Sequence, residues 1–145
     1  MFFVSDALLD QILTDDIPYG DATTALFGIE KIPGIVRCRP KAETTIAGVA
    51  LVERLFARVG LQTTLFHEEG DTVAAGTVIL EGRGPAGAIH AVYKTAQNIL
   101  EYASGIATRT HQMVEEARAG NPLCRVAVTR KHFPGTKTLS LYAAM

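Results

Sequence analysis

The sequence predicts an α/β protein, a small sheet with helices against it, in one domain or one domain plus the start of another. Three observations lead there. Segments with apolar residues three and four apart alternate with short runs rich in Val, Ile and Thr. Gly and Pro punctuate the chain between them, as at Pro18, Gly20, Gly60, Gly76, Pro85 and Pro122. Of the 145 residues, 48% are hydrophobic and 20% charged, which excludes a disordered tail, a collagen-like fibre and a low-complexity segment. A chain of this length can bury about 68–70% of its unfolded surface, enough for a core of its own.

Taken in order, Ser5 can cap a helix to about Thr14, with Leu8, Leu9, Ile12 and Leu13 as its apolar stripe. Asp15-Asp16-Ile17-Pro18-Tyr19-Gly20-Asp21 reads as an acidic loop, and Asp21 as the cap of the turn that holds Thr23 and Thr24. Ile35 to Lys41 alternates as a half-exposed strand stopped by Pro40. Gly48 to Val59 has helical spacing through Val49, Val52, Leu55, Phe56 and Val59, and Gly60 occupies the place of a terminating glycine. Leu61 to Glu68 and Val78 to Glu81 read as strands joined by Gly-Asp and Ala-Gly turns around Val73, and Gly82-Arg83-Gly84-Pro85 as the turn that ends the sheet. Two helices follow, Val92 to Ser104 and Ile106 to Ala119, with Gly105 between them. Leu123 to Thr129 is a short hydrophobic strand that runs into the basic loop Arg130-Lys131-His132-Phe133-Pro134-Gly135-Thr136-Lys137. The chain closes on apolar Leu139, Leu141, Tyr142, Ala143, Ala144 and Met145, a stub with nothing obvious to pack against.

No apolar run approaches the roughly 18–20 residues of a membrane span, and Met1 to Asp6 lacks a signal peptide's basic start. Cys38 and Cys124 make a poor disulfide framework and read as reduced core residues of a cytoplasmic protein. The net charge of −1 hides an asymmetry: Ala117 to Met145 carries five cations and no Asp or Glu, while residues 1–116 carry 9 basic and 15 acidic groups. A basic end on a near-neutral chain suggests a local anion site. With only Phe133 and Tyr142 as aromatic company, that end is not a nucleic-acid platform.

Thr129-Arg130-Lys131 is the sharpest local signal. Two adjacent cations, a hydroxyl and a Pro-Gly turn can cradle carboxylate or phosphate, Arg as a bidentate fork and Lys as a point charge. The plainer alternative is a solvated basic loop. His67, His90, His111 and His132 show no metal-ligand spacing. His67 and His90 read as half-buried strand residues, His111 as a helix surface residue, and His132 earns interest by adjoining the basic loop. The adjacent acids Asp15-Asp16 and Glu68-Glu69 read as loop residues facing water. No catalytic residue is assigned.

The order of motifs Asp16-Ile17-Pro18-Tyr19-Gly20-Asp21-Ala22-Thr23-Thr24, Glu69-Gly70-Asp71 with Gly76, and Gly84-Pro85-Ala86 resembles the N-terminal domain of the quinolinate phosphoribosyltransferase family. Tyr93 to Leu100 and Ser104 to Thr108 are similar to its paired helices, and Thr129-Arg130-Lys131 with Pro134-Gly135 to its first barrel strand and loop. The variant from Thr129 to Lys137 resembles most the family's branch associated with molybdate uptake. The resemblance implies an α/β sandwich with linker helices over residues 1–119 and the start of an incomplete α/β barrel over 120–145. It implies homodimers or higher homo-oligomers, and a reaction joining quinolinate or a related acid to phosphoribosyl pyrophosphate with Mg²⁺, releasing pyrophosphate and carbon dioxide.

Carried over, the resemblance makes Thr129, Arg130 and Lys131 substrate-binding, and Lys94 the cation reaching the acid in the partner subunit's site. His132 and Lys137 are further candidates, standing where the family usually has threonine and often arginine. Lys94 replaces the family's usual arginine and loses the fork, which bears on which acid is recognised. The family's later Asn-His-Arg segment, a further lysine and the Mg²⁺-binding acids have no counterpart here, so this chain alone is expected to be inactive. Two other functions fit less of the sequence. Glu69 to Glu81 resembles the turns of biotinyl and lipoyl carriers, but no lysine lies between Lys41 and Lys94 to be modified. The other is a non-catalytic dimerising protein.

Overall fold

The computed structural model describes residues 4–17 and 21–145. Helices α1 (Asp6–Asp16) and α2 (Ala22–Phe27) open the chain. Their caps are the predicted ones: Ser5 Oγ accepts from the Leu8 N–H at 3.2 Å and Asp21 Oδ2 from the Thr24 N–H at 2.8 Å. β1 (Pro33–Cys38), β3 (Gln62–Leu65) and β5 (Leu80–Pro85) form an antiparallel sheet in the order β1-β5-β3, and β2 (Thr44–Thr45) pairs with β4 (Thr72–Val73).

Helix α3 (Val49–Arg58) buries Val49, Leu51, Val52, Leu55 and Phe56. Gly60 ends it at φ +78°, its N–H donating to the Ala57 carbonyl while the Leu61 N–H returns to Phe56. That pair of bonds is a Schellman termination, which needs the left-handed backbone glycine adopts without strain. The core lies between this helix, the sheet's inner face and α4 (Ala86–Gly120), around Phe56, Leu55, Leu80, Val92 and Ala96.

Four expectations are corrected. Gly82-Arg83-Gly84-Pro85 is not a turn but most of β5, the central strand. The glycines are there for close packing: a Cβ on Gly82 would meet Phe56 Cε2 at 2.6 Å, and one on Gly84 would meet Leu61 Cδ2 at 2.5 Å. The two predicted helices are one, because a lone Gly105 costs a helix about 1 kcal/mol and tertiary packing on both sides of it outweighs that. Leu123 to Thr129 forms no strand and is exposed throughout; a strand needs a neighbour to complete its hydrogen bonds. The apolar end does pack: α5 (Lys137–Ala143) lies on α4 and brings Leu139 and Tyr142 to the core.

Smaller readings shift as well. The first helix continues to Asp16, whose carboxylate accepts a 2.5 Å hydrogen bond from Thr95 Oγ1 on α4 instead of facing water. Glu69 is likewise engaged, as described below. His90 lies on α4 and His67 in the bend after β3, so neither is a strand residue, whereas His111 is on the helix surface as expected. Cys38 is half-buried on β1, where burial pushes its thiol up to about 11; Cys124 is exposed and not in the core. No helix among the described residues is long and apolar enough to cross a membrane.

Candidate functional site

Helix α4 is the platform. Thr45 N–H donates to Thr108 Oγ1 at 2.9 Å and Ala47 N–H to Ser104 Oγ at 3.1 Å, which ties the β2 segment to the helix. Thr95, more than two turns before Ser104, binds Asp16, so the stretch carrying Tyr93, Lys94 and Gln97 is anchored from two sides. Lys94 is exposed, yet its ammonium is held: Nζ donates to Gln97 Oε1 at 3.2 Å and lies 5.4 Å from the Tyr93 ring centre. Tyr93 meets the His90 ring edge-on at 5.7 Å, and His90 Nδ1 is 3.6 Å from Asp21 Oδ2. The Thr24 N–H, chiefly, holds the Asp21 carboxyl below the usual carboxylate range.

The basic segment lies elsewhere. Thr129, Arg130, Lys131 and Lys137 are exposed, and no side-chain ion pair engages these cations among the described residues. Thr129 Oγ1 accepts from the Lys131 N–H at 3.2 Å, a local side-chain-to-backbone turn. His132 is half-buried, and its Nε2 is buried with no hydrogen-bond partner. Such an atom is costly until a partner reaches it. The structure thus brings Thr129, Arg130, Lys131 and His132 together in one loop.

A groove of about 610 Å³ runs between β1 and α4. Its apolar lining includes Val36, Ile46, Ile79 and Leu100; Arg39, Lys41 and Arg109 supply charge, and Tyr93 and Gln97 link it to the Lys94 region. Neither Lys94 nor any of Thr129, Arg130, Lys131, His132 and Lys137 lines it. No local pattern marks this groove, because its walls come from segments some sixty residues apart. Another feature missed was Glu69. Its carboxylate accepts from the Gly48 and Ala50 N–H groups at 2.8 and 3.0 Å, and from Tyr142 Oη–H at 2.7 Å. The available signal was Gly48 at the start of α3, since a helix capped by glycine takes its acceptor from another segment. Burial and this bond to Glu69 push the Tyr142 phenol well above its ordinary value.

The family model for the quinolinate phosphoribosyl transferase N-terminal domain matches residues 21–104, the stretch that contains the sheet, α3 and the Lys94 turn of α4. The chain belongs to the quinolinate phosphoribosyltransferase family. The putative pyrophosphorylase ModD of Pasteurella multocida is 35% identical over all 145 residues, which cover 51% of that relative. The ModD protein of Rhodobacter capsulatus is 36% identical over 99% of this chain and 55% of its own length. A probable carboxylating nicotinate-nucleotide pyrophosphorylase of Archaeoglobus fulgidus is 37% identical over 82% of this chain and 45% of its own. Among solved structures, NadC from Streptococcus pyogenes superposes with a TM-score of 0.88 at 25% identity over 96% of this chain and 50% of that one. The chain spans about half the length of the curated relatives it matches.

For a family member the Mg²⁺ question can be put to the residues present. Among the described residues no group of three or more His, Cys, Asp or Glu side chains is placed to hold a metal ion.

Proposed function

We propose that this chain forms the N-terminal portion of a phosphoribosyltransferase that joins a small carboxylic acid to phosphoribosyl pyrophosphate, with pyrophosphate released. Two anions must be held together while positive charge develops at the ribosyl carbon. Fixed cations offset the repulsion and orient both partners. In this reading Thr129, Arg130 and Lys131 bind anionic oxygens, with His132 Nε2 and Lys137 as further contacts. Lys94 acts from α4 on the acid bound by a partner subunit, as a point charge held by Gln97 and Tyr93. The domain division at residue 119, homo-oligomers and a link to molybdate uptake belong to the same proposal. Its Mg²⁺ ligands would come from outside this chain.

One observation carries the reading: Ala117 to Met145 holds five cations and no carboxylate, with Arg130, Lys131 and Lys137 exposed and free of ion pairs among the described residues. A surface that merely dissolves the protein would intersperse both signs. The test is pyrophosphate release from phosphoribosyl pyrophosphate and a panel of pyridine carboxylic acids. The 145-residue chain is expected to give none above buffer, and a polypeptide continued to the length of the relatives to give turnover. In that longer protein Arg130→Ala is expected to raise the Michaelis constant of an anionic substrate about 10–100-fold, the loss of a charged hydrogen bond. Unchanged constants for both substrates would refute the assignment.

A further inference from the structure

A line of hydroxyl groups that the proposed chemistry does not use joins the basic loop to α4. We propose that Tyr102 is a positioning residue for that loop: through Ser140 and Thr136, its hydroxyl holds the turn directly after Arg130, Lys131 and His132. What the loop binds rests on the transferase reading above. The turn itself is local. Pro134 and Gly135 occupy its two central positions, Gly135 has φ +87°, and the Thr136 N–H donates to the Phe133 carbonyl at 3.1 Å. Proline followed by a glycine of positive φ is the type II arrangement. Such a turn sets its own shape but not its place in the molecule.

Its place comes from the hydroxyls. Thr136 Oγ1–H donates to the same Phe133 carbonyl at 2.9 Å. Ser140, buried in α5, donates from Oγ to the Thr136 carbonyl at 2.9 Å. Tyr102 Oη lies 2.8 Å from Ser140 Oγ. A hydroxyl has one hydrogen to give. With that of Ser140 directed at Thr136, Tyr102 must be the donor, and each hydroxyl hydrogen in the line then has an acceptor. The hold therefore runs from α4 outward to the turn. Tyr102 stands on a fixed part of α4: next to it Ala103 is buried, and the Ser104 hydroxyl bonds both the N–H and the carbonyl of Ala47 at 3.1 Å.

The rest of α5 is held independently. Tyr142 Oη–H bonds Glu69, Leu139 and Tyr142 pack on the main core, and Ala143 packs with Ala47, Ala103 and Ala107. Removing the Tyr102 hydroxyl therefore leaves α5 seated and loosens the turn at its start. A bond that only stabilised α5 would change how much of the protein is folded, and the folded molecules would bind substrate as before. A bond that positions the loop changes substrate binding by the folded molecules themselves, which is read in the Michaelis constant.

The test is Tyr102→Phe, which removes one oxygen and keeps the ring. In the polypeptide continued to the length of the relatives, it is expected to raise the Michaelis constant of the substrate that Arg130→Ala affects. The rise is about 2–13-fold, the worth of one hydrogen bond, with kcat near the parent's. Ser140→Ala is expected to reproduce the rise and not to add to it. In an Arg130→Ala background, Tyr102→Phe is expected to change that constant less than twofold, because the group it positions is gone. Unchanged Michaelis constants in Tyr102→Phe, or a rise that persists in full without Arg130, overturn the proposal. A second measurement needs no turnover: amide hydrogen exchange by NMR in the 145-residue chain. The Thr136 amide is expected to exchange about 2–13-fold faster in Tyr102→Phe, while the Val52 amide of α3, bonded to the Gly48 carbonyl, keeps the parent's rate. A long polypeptide without turnover would refute the transferase reading and leave this rate to decide the hold on the turn. Equal Thr136 exchange in parent and variant overturns it.

Discussion

Gly82→Ala tests the packing that closes the core. Gly82 is in the central strand, and an alanine Cβ there would come within 2.6 Å of Phe56 Cε2, 2.8 Å of Cδ2 and 3.1 Å of Val36 Cγ1. Carbon atoms settle at about 3.5–4.0 Å, so the ring must recede by about 1 Å. Phe56 is fully buried in the main core and has no free side to move into. Overpacking of this kind costs about 1–3 kcal/mol. Alanine gives back about 0.4–1 kcal/mol by restricting the unfolded chain, which leaves a net loss of roughly 1–2 kcal/mol. With an unfolding entropy of about 2.1 cal/mol/K per residue, that lowers Tm by roughly 3–7 °C. Thermal melts by far-UV circular dichroism measure it. Gly105→Ala is the control: with nothing within 4 Å of its Cβ, it is expected to gain about 1 kcal/mol and a few degrees. Adding Phe56→Leu to Gly82→Ala is expected to cost less than the two changes separately, since the shorter side chain removes the clash. A Gly82→Ala protein that melts with or above the parent would refute this account of the strand glycines.

Two further predictions follow from buried or shared carboxylates. Glu69→Ala removes the acceptor of two α3 amides and of the Tyr142 hydroxyl, so its urea midpoint is expected to fall by the equivalent of about 1–3 kcal/mol at unchanged m, with Glu69→Gln in between. An unchanged midpoint would show that solvent replaces all three bonds. Glu81 accepts from Arg37 and from Arg83, both at 2.6 Å, and the Arg37 bond foremost holds its carboxyl below the ordinary value of 4.5. Folding therefore favours the ionised form; this stability is whole above about pH 4.5 and is lost as the pH falls through and below that value. In acid titrations Glu81→Gln is expected to lose stability less steeply below pH 4.5 than the parent, and equal slopes would contradict the assignment.

Local pattern carried the helices and missed the glycines. The spacing of Val52, Leu55, Phe56 and Val59 with Gly60 after them describes α3 almost to the residue, because both the stripe and its terminator are local. Gly82 and Gly84 looked like a turn because glycine is a frequent breaker in sequence. Their actual cause, the Phe56 ring and the Leu61 side chain, lies more than twenty residues away and leaves no trace beside them. Gly105 misled in the same way: its neighbours Ser104 and Thr108 hold the β2 segment, and that tertiary hold keeps α4 continuous. At the site, Lys94 and Arg130 were legible as charges, and their order along the chain matched the family. The restraint of Lys94 was not read: Gln97 is an i+3 neighbour on the same helix face, but Tyr93 is adjacent in the chain and its approach to the ammonium is seen only in the structure. The groove was not legible either, because its walls meet only in the folded chain.

The segment from Leu123 to Thr129 shows what the catalytic proposal requires energetically. It leaves the end of α4 and returns to the core through α5, so both ends are fixed while the stretch between them bonds to no strand. Fixing seven backbone residues as a strand costs roughly 7–14 kcal/mol of conformational entropy. Neighbouring strands offset this through the ladder hydrogen bonds and by burying Leu123, Val126 and Val128, which are 87%, 37% and 51% exposed here. Anions alone cannot offset it: two charged hydrogen bonds to Arg130 and Lys131 contribute about 3–6 kcal/mol. In the proposed enzyme, then, the order of events follows from magnitude. Strand neighbours must set the Thr129-Arg130-Lys131 spacing first, and substrate affinity is what remains after they have done so.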